Sequence, residues 1–201
     1  EINCITTAKK GNVTVIVGGQ YSNTKTFEFG PPIVLLVELS SSAGPVTSGW
    51  TLDNPAVLTV TGQNFGESSS DIFVSVESNT GNLAVCKIIS FRKIQKTMDL
   101  IEWAEIAGNV KAEDRSRAFE QVDCQLPPGQ GRNNSVKVTR GSATSSGCSC
   151  RGCSPVACFS YLPPAISSVA PGGGITDGKY TIELFGRNFG LSQTVFVGSR
   201  E

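Results

Sequence analysis

Across 201 residues, 17 basic and 17 acidic side chains cancel, so no long-range field draws the chain toward nucleic acid or an anionic membrane. Histidine is absent, which removes the commonest general acid and base near neutral pH and the commonest metal ligand, and this weighs against an enzyme. The 22 glycines and 10 prolines, spread among Val, Thr, Ile and Ser, are the composition of short strands joined by turns and predict an all-β fold.

In chain order, Glu1-Ile-Asn-Cys4 has no signal-peptide character, and the longest apolar run, Ile33 to Val37, is far too short to cross a bilayer. The chain therefore reads as an interior piece of something longer, with no membrane insertion in this segment. Val13-Thr-Val-Ile-Val-Gly18, continuing to Ser22, is a strand pattern that leads to Phe27-Glu-Phe-Gly-Pro-Pro32. Proline donates no backbone hydrogen bond and holds the preceding residue extended, so the proline pair ends a strand and begins a stiff linker. Val57-Leu-Thr-Val-Thr-Gly62 alternates between two faces, as a half-buried strand requires, and runs into Gln-Asn-Phe-Gly66. Glycine on either side of Asn-Phe permits positive φ and asparagine tolerates it, so the chain can turn sharply while Phe65 drops into the core.

Further along, Thr97-Met-Asp-Leu-Ile-Glu-Trp-Ala-Glu-Ile-Ala-Gly108 places Leu100, Ala104 and Ala107 on one helical face with Gly108 as a C-cap, which predicts a short helix. Its reading is a lid that packs Trp103 over a sheet edge, with a specific binding element as the alternative. Val136-Lys-Val-Thr-Arg-Gly141, continuing to Ser145, then repeats Val13 to Ser22 at an offset of 123 (136 − 13). Phe159-Ser-Tyr-Leu-Pro-Pro164 repeats Phe27 to Pro32 at an offset of 132 (159 − 27), so nine residues (132 − 123) have been inserted between. Tyr180-Thr-Ile-Glu-Leu-Phe-Gly186 and the following Arg-Asn-Phe-Gly190 repeat the strand, turn and plug of Val57 to Gly66, with Gly186 standing 124 (186 − 62) beyond Gly62. Self-similarity of this kind organises the chain. Residues 1–32 read as the closing half of one unit, 33–164 as a complete unit with insertions at 91–118 and 146–158, and 165–201 as the opening half of a third.

Pro164-Ala-Ile-Ser-Ser-Val-Ala-Pro171, Gly178, Thr181 to Gly190 and Val195-Phe-Val-Gly198 resemble the opening half of an IPT/TIG domain. Cys124-Gln-Leu-Pro-Pro-Gly-Gln-Gly131 through Tyr161 resembles its closing half, and Cys4 to Phe29 is a weaker copy. The resemblance implies immunoglobulin-like β-sandwich repeats, each of two antiparallel sheets with Greek-key connections. The stretch between Cys86 and Cys124 departs from the family by its length.

Seven cysteines are present. Cys86 follows the strand pattern from Asn82 and Cys124 ends the one from Phe119, which as neighbouring strands predicts a Cys86–Cys124 disulfide. Cys4 stands where Cys124 stands in its own repeat, so it is expected to be unpaired or paired outside the chain. Cys148, Cys150, Cys153 and Cys158 form a compact cluster whose favoured reading is two disulfides. Zinc is the alternative, and the spacing suits a four-thiolate site poorly. Two N-glycosylation sequons, at Asn12 and Asn133, are expected at nearly the same turn of the aligned repeats. Cystines and N-linked glycans together imply an oxidising extracellular or cell-surface setting.

Neither a nucleophile with its base nor a marked carboxylate pair can be found, so no catalytic residue, cofactor or metal is expected. Some TIG domains belong to DNA-binding proteins, but here Lys93, Lys96, Arg115 and Arg117 alternate with Asp99, Glu102, Glu113 and Asp114, against a phosphate-binding face. The expected function is a structural or adhesive module of a repeat-built glycoprotein whose partners are its neighbouring repeats. One extension is head-to-tail assembly into a fibre, by pairing of the two half-units between molecules. The alternative is a ligand-binding segment of a receptor ectodomain.

Overall fold

The computed structural model describes residues 10–28, 30–40, 44–53, 55–94, 119–147, 157–174, 177–178 and 180–198. The expectations for Cys4, Cys148, Cys150, Cys153 and the helix at 97–108 lie outside the described residues.

At the start, β1 (Lys10–Val13) pairs antiparallel with β4 (Lys25–Glu28). Between them β2 (Ile16–Val17) and β3 (Gln20–Tyr21) form a hairpin that turns on Gly18 and Gly19, both at positive φ. After Pro31 and Pro32 come β5 (Ile33–Ser40), β6 (Val57–Gln63), β7 (Ile72–Glu77), β8 (Leu83–Val85) and β9 (Lys87–Ile94). They are followed by β10 (Phe119–Gln125), β11 (Asn134–Arg140), β12 (Ala143–Thr144) and β13 (Cys158–Phe159). Beyond Pro163 and Pro164, β14 (Ala165–Ala170) pairs with β15 (Glu183–Arg187). The described residues hold no α-helix, only 3-10 geometry at Ser69–Asp71 and at Ala157, so the fold is all-β.

Strands β5 to β13 form two sheets. One has the order β5-β6-β10-β9, and the other runs β12-β11-β7-β8 with β13 also on β11. The chain crosses between the sheets after β6, after β8 and after β10. Period-2 alternation sends Leu58, Val60, Val122 and Cys124 from the first sheet, and Val74, Val76, Val136 and Val138 from the second, into one shared apolar core. This two-layer arrangement is consistent with a β-sandwich. Tyr161 closes one end: its ring packs edge-on against Phe159 with centroids 5.0 Å apart, and its hydroxyl donates to the Pro127 carbonyl at 2.8 Å.

Two boundaries differ from the sequence reading. Residues 91–94, expected within an insertion, complete β9. The partner of β10 is β9, not the Asn82–Cys86 stretch, whose β8 belongs to the opposite sheet. Cys86 sits where the chain changes sheets, its N–H donating to the Val74 carbonyl.

The stretches expected to repeat share their ladder register. In the complete unit Ile33 pairs with Gln63 and Val34 with Gly62, then a bulge shifts the ladder to Leu36 against Thr61. In the third unit Ala165 pairs with Arg187 and Ile166 with Gly186, then a bulge shifts the ladder to Ser168 against Phe185. The closing strands agree equally well: Gly11 faces Phe27 as Asn134 faces Phe159, and Asn12 faces Thr26 as Ser135 faces Cys158. The Ser22 hydroxyl accepts the Val15 N–H at 2.9 Å, and the Ser145 hydroxyl accepts the Val138 N–H at the same distance.

Each opening strand ends in the same plug. Asn64 and Asn188 take φ of 62° and 59°, which folds the chain back so that the next ring, Phe65 or Phe189, lies over the preceding glycine. A Cβ on Gly62 would run into the Ile33 carbonyl oxygen and the Phe65 ring, and one on Gly186 into the Ala165 carbonyl oxygen and the Phe189 ring. Only glycine admits both the strand pairing and the ring. Phe65 is fully buried, whereas Phe189 is half-buried. Phe65→Ala is therefore expected to cost about 3–5 kcal/mol in urea unfolding and Phe189→Ala clearly less, because loss follows the buried volume removed.

Candidate functional site

The Phe65 turn is held from two strands of the complete unit. Its N–H donates to Glu120 Oε2 at 2.9 Å, and Arg140 Nη1 donates to the Asn64 carbonyl at 3.3 Å. Beside them Lys93 Nζ meets Glu67 Oε2 at 2.7 Å. Burial pushes the Glu120 carboxyl above the ordinary glutamate range, against the opposing pull of the Phe65 N–H and Lys93. Since β10 and β11 supply these groups, the turn joins local backbone geometry to the assembled core.

On the outer face of the first sheet, Asp123 gathers three donors from the two strands that flank β10. Thr59 Oγ1 donates to Oδ1 at 2.9 Å, while Ser90 Oγ and Arg92 Nη1 donate to Oδ2 at 2.8 Å and 2.6 Å. Burial would raise this carboxyl, but the hydrogen bonds from Ser90, Thr59 and Arg92 together with the guanidinium charge outweigh it and hold the group below the ordinary aspartate range. A depressed folded-state value stabilises the fold above the ordinary carboxylate value, about 3.9, and that contribution is lost as pH falls through the folded value. Asp123→Asn should lower stability at pH 7 by about 1–3 kcal/mol and flatten the acid limb of the stability curve below about pH 4, read by denaturant titration at each pH.

Cys86 and Cys124 do come together, but not as expected. Both are buried free thiols in hydrogen-bonding contact across the core. The disulfide read from sequence is thus corrected to an adjacent thiol pair: one sulfur hangs from the crossing between the sheets and the other from β10, so they approach face to face across the layers. Contact with Cys86 and then burial push the Cys124 thiol far above the ordinary range, which keeps it protonated and unreactive as a nucleophile. Cys158 is disulfide-bonded. Among the described residues no group of three or more His, Cys, Asp or Glu side chains is placed to hold a metal ion. Cys124→Ser, which buries a hydroxyl in the place of a thiol among apolar neighbours, is expected to destabilise the reduced protein by about 1–3 kcal/mol in chemical denaturation.

The two sequon asparagines are both exposed but do not occupy one turn. Asn12 lies within β1, its Oδ1 accepting from Thr26 Oγ1 at 3.4 Å. Asn133 sits before β11 at φ 54°, its N–H donating to Ser160 Oγ at 3.1 Å. By strand register the counterpart of Asn12 is Ser135, so the sequons stand two positions apart. Asn133 lies at the rim of a polar cleft of about 290 Å³, lined by Ser78, Asn79, Ser135 and the Glu77–Lys137 ion pair.

Two side-chain contacts that the sequence reading did not foresee tie the turns to neighbouring segments. The Gln130 side-chain oxygen accepts the N–H groups of Leu191 and Ser192, at 2.7 Å and 2.9 Å. The turn asparagines reach back to the linkers: Asn64 Nδ2 donates to the Pro31 carbonyl at 3.3 Å, and Asn188 Nδ2 to the Pro163 carbonyl at 3.4 Å. The recurrence of asparagine in both copies of the motif was the available signal, whereas Gln130 carries none. Compared with known proteins, the chain matches no family model, no curated protein and no solved structure.

Proposed function

We propose that the chain is a non-enzymatic structural or adhesive segment of a repeat-built extracellular glycoprotein, composed of immunoglobulin-like IPT/TIG units at 1–32, 33–164 and 165–201. The observation that carries this reading is the recurrence of one strand, bulge, turn and plug, at the same register and with the same hydrogen bond to the linker, once at the opening of the 33–164 unit and again just beyond it. The sheet order supports the immunoglobulin-like assignment. With β8 set aside as an extra strand beside C and the others lettered in chain order, β5-β6-β10-β9 follows A-B-E-D, and β7, β11 and the closing strands β12 and β13 follow C-F-G. Repeats joined end to end through proline pairs make a semi-rigid array, and arrays of this kind serve as spacers and adhesive stalks. The balanced charge favours neighbouring repeats of the same protein as partners over nucleic acid.

The extracellular assignment rests on the two exposed sequon asparagines and on the cysteine content. Protein produced through a secretory route is expected to lose mass at both Asn12 and Asn133 on glycosidase treatment, and negative-stain images of it should show extended, regularly jointed particles. A compact particle with both asparagines unmodified would sink the proposal.

A further inference from the structure

Resting on that modular reading, we propose that the Gly-x-Asn-Phe-Gly turn is also the joint between units. Its asparagine clasps the proline linker behind it, and in the second copy the N–H groups that follow dock on Gln130 of the unit before.

The plug alone does not explain the asparagine. Positive φ at the third position can be met by glycine, and glycine is already used on both sides of the Asn-Phe pair. What asparagine adds is a carboxamide. At 64 and again at 188 it points the same way, toward the carbonyl of the first proline of the preceding pair, at 3.3 Å and 3.4 Å. That carbonyl lies between two units and belongs to neither ladder. A proline linker is stiff along its length, but the residues that enter and leave it still rotate. A hydrogen bond from the turn to the linker carbonyl removes that rotation on the side of the unit that follows.

Gln130 acts on the other side. It lies in Pro127-Pro-Gly-Gln-Gly131, between β10 and β11 of the complete unit, and its oxygen receives two successive N–H groups just beyond Gly190. A Cβ on Gly190 would collide with that same oxygen, so the last glycine of the motif, at φ 78°, is required for the docking as well as for the turn. The linker is thereby anchored to the later unit by Asn188, and the later unit to the earlier one by Gln130. Two anchors on one short linker set an angle, where one would leave a swivel. Contacts between domains of one chain are otherwise small and permit relative motion.

The test places two spectroscopic labels on the full chain through non-canonical amino acids at Leu52 and Val197, both highly exposed and in successive units. Distance distributions are then measured by pulsed electron resonance. The parent protein should give a narrow distribution. Gln130→Ala and Asn188→Gly should each broaden it about twofold, with far-UV circular dichroism unchanged. Gln130→Glu, which keeps the acceptor oxygens, should restore the narrow distribution at pH 7. Should Gln130→Ala leave the width as it was, or should the parent distribution already be broad, the joint is not held in this way. Either result leaves the repeat-array reading to be judged separately by the particle images.

Discussion

Everything in this architecture hangs on a single steric allowance: the absence of a side chain at Gly62 and Gly186. Strand pairing brings the Ile33 and Ala165 carbonyls to the place where a Cβ would project, and the plug ring folds over the same spot. Only a bare Cα lets the first two strands of a unit lie together while an aromatic ring seals the end of the core between them. With that granted, the left-handed asparagine follows, because the chain must reverse within one residue for the ring to reach back. In the complete unit the ring is fully buried, and its N–H engages a carboxylate on β10. Local backbone geometry and the closure of the two sheets are therefore joined at one residue, Phe65.

Around this point the polar groups divide into two kinds. Glu120 is drawn into the protein to satisfy a backbone donor and carries the electrostatic penalty of burial, with Lys93 and Arg140 near enough to offset part of it. Asp123 lies closer to solvent and is over-supplied with donors, so it binds three strands of one sheet together from outside. The thiol pair holds the middle of the interior. Its sulfurs act as small apolar groups that fill the gap where the chain passes from one layer to the other.

Much of the fold could be read from the residues in advance, and the reason is physical. Glycine, proline, asparagine and phenylalanine each dictate a backbone state or a burial, so their recurrence at fixed offsets carried the positions of strands, turns and linkers through to the register. Where identity says nothing about geometry, the reading failed. Val and Ile from 83 to 94 suit either sheet, and nothing local marks Cys86 as the crossing, so the cysteines were placed on neighbouring strands when they face each other across the core. The sequons were aligned by turn and not by strand pairing, which misplaced them by two positions. Glu120 and Gln130 act on atoms 55 and 61 residues away, a distance over which no short pattern can report.

The closing hairpins have one more consequence. In the first unit three residues separate β3 from β4, while in the second thirteen separate β12 from β13, yet Gly11 meets Phe27 as Asn134 meets Phe159. Lengthening a connection to that extent costs only about 1 kcal/mol in closure entropy. The pairing of these strands is thus indifferent to what is spliced between them. That makes the 145–157 stretch the cheapest place for descendants of this module to diverge, each unit free to acquire its own surface without renegotiating its interior.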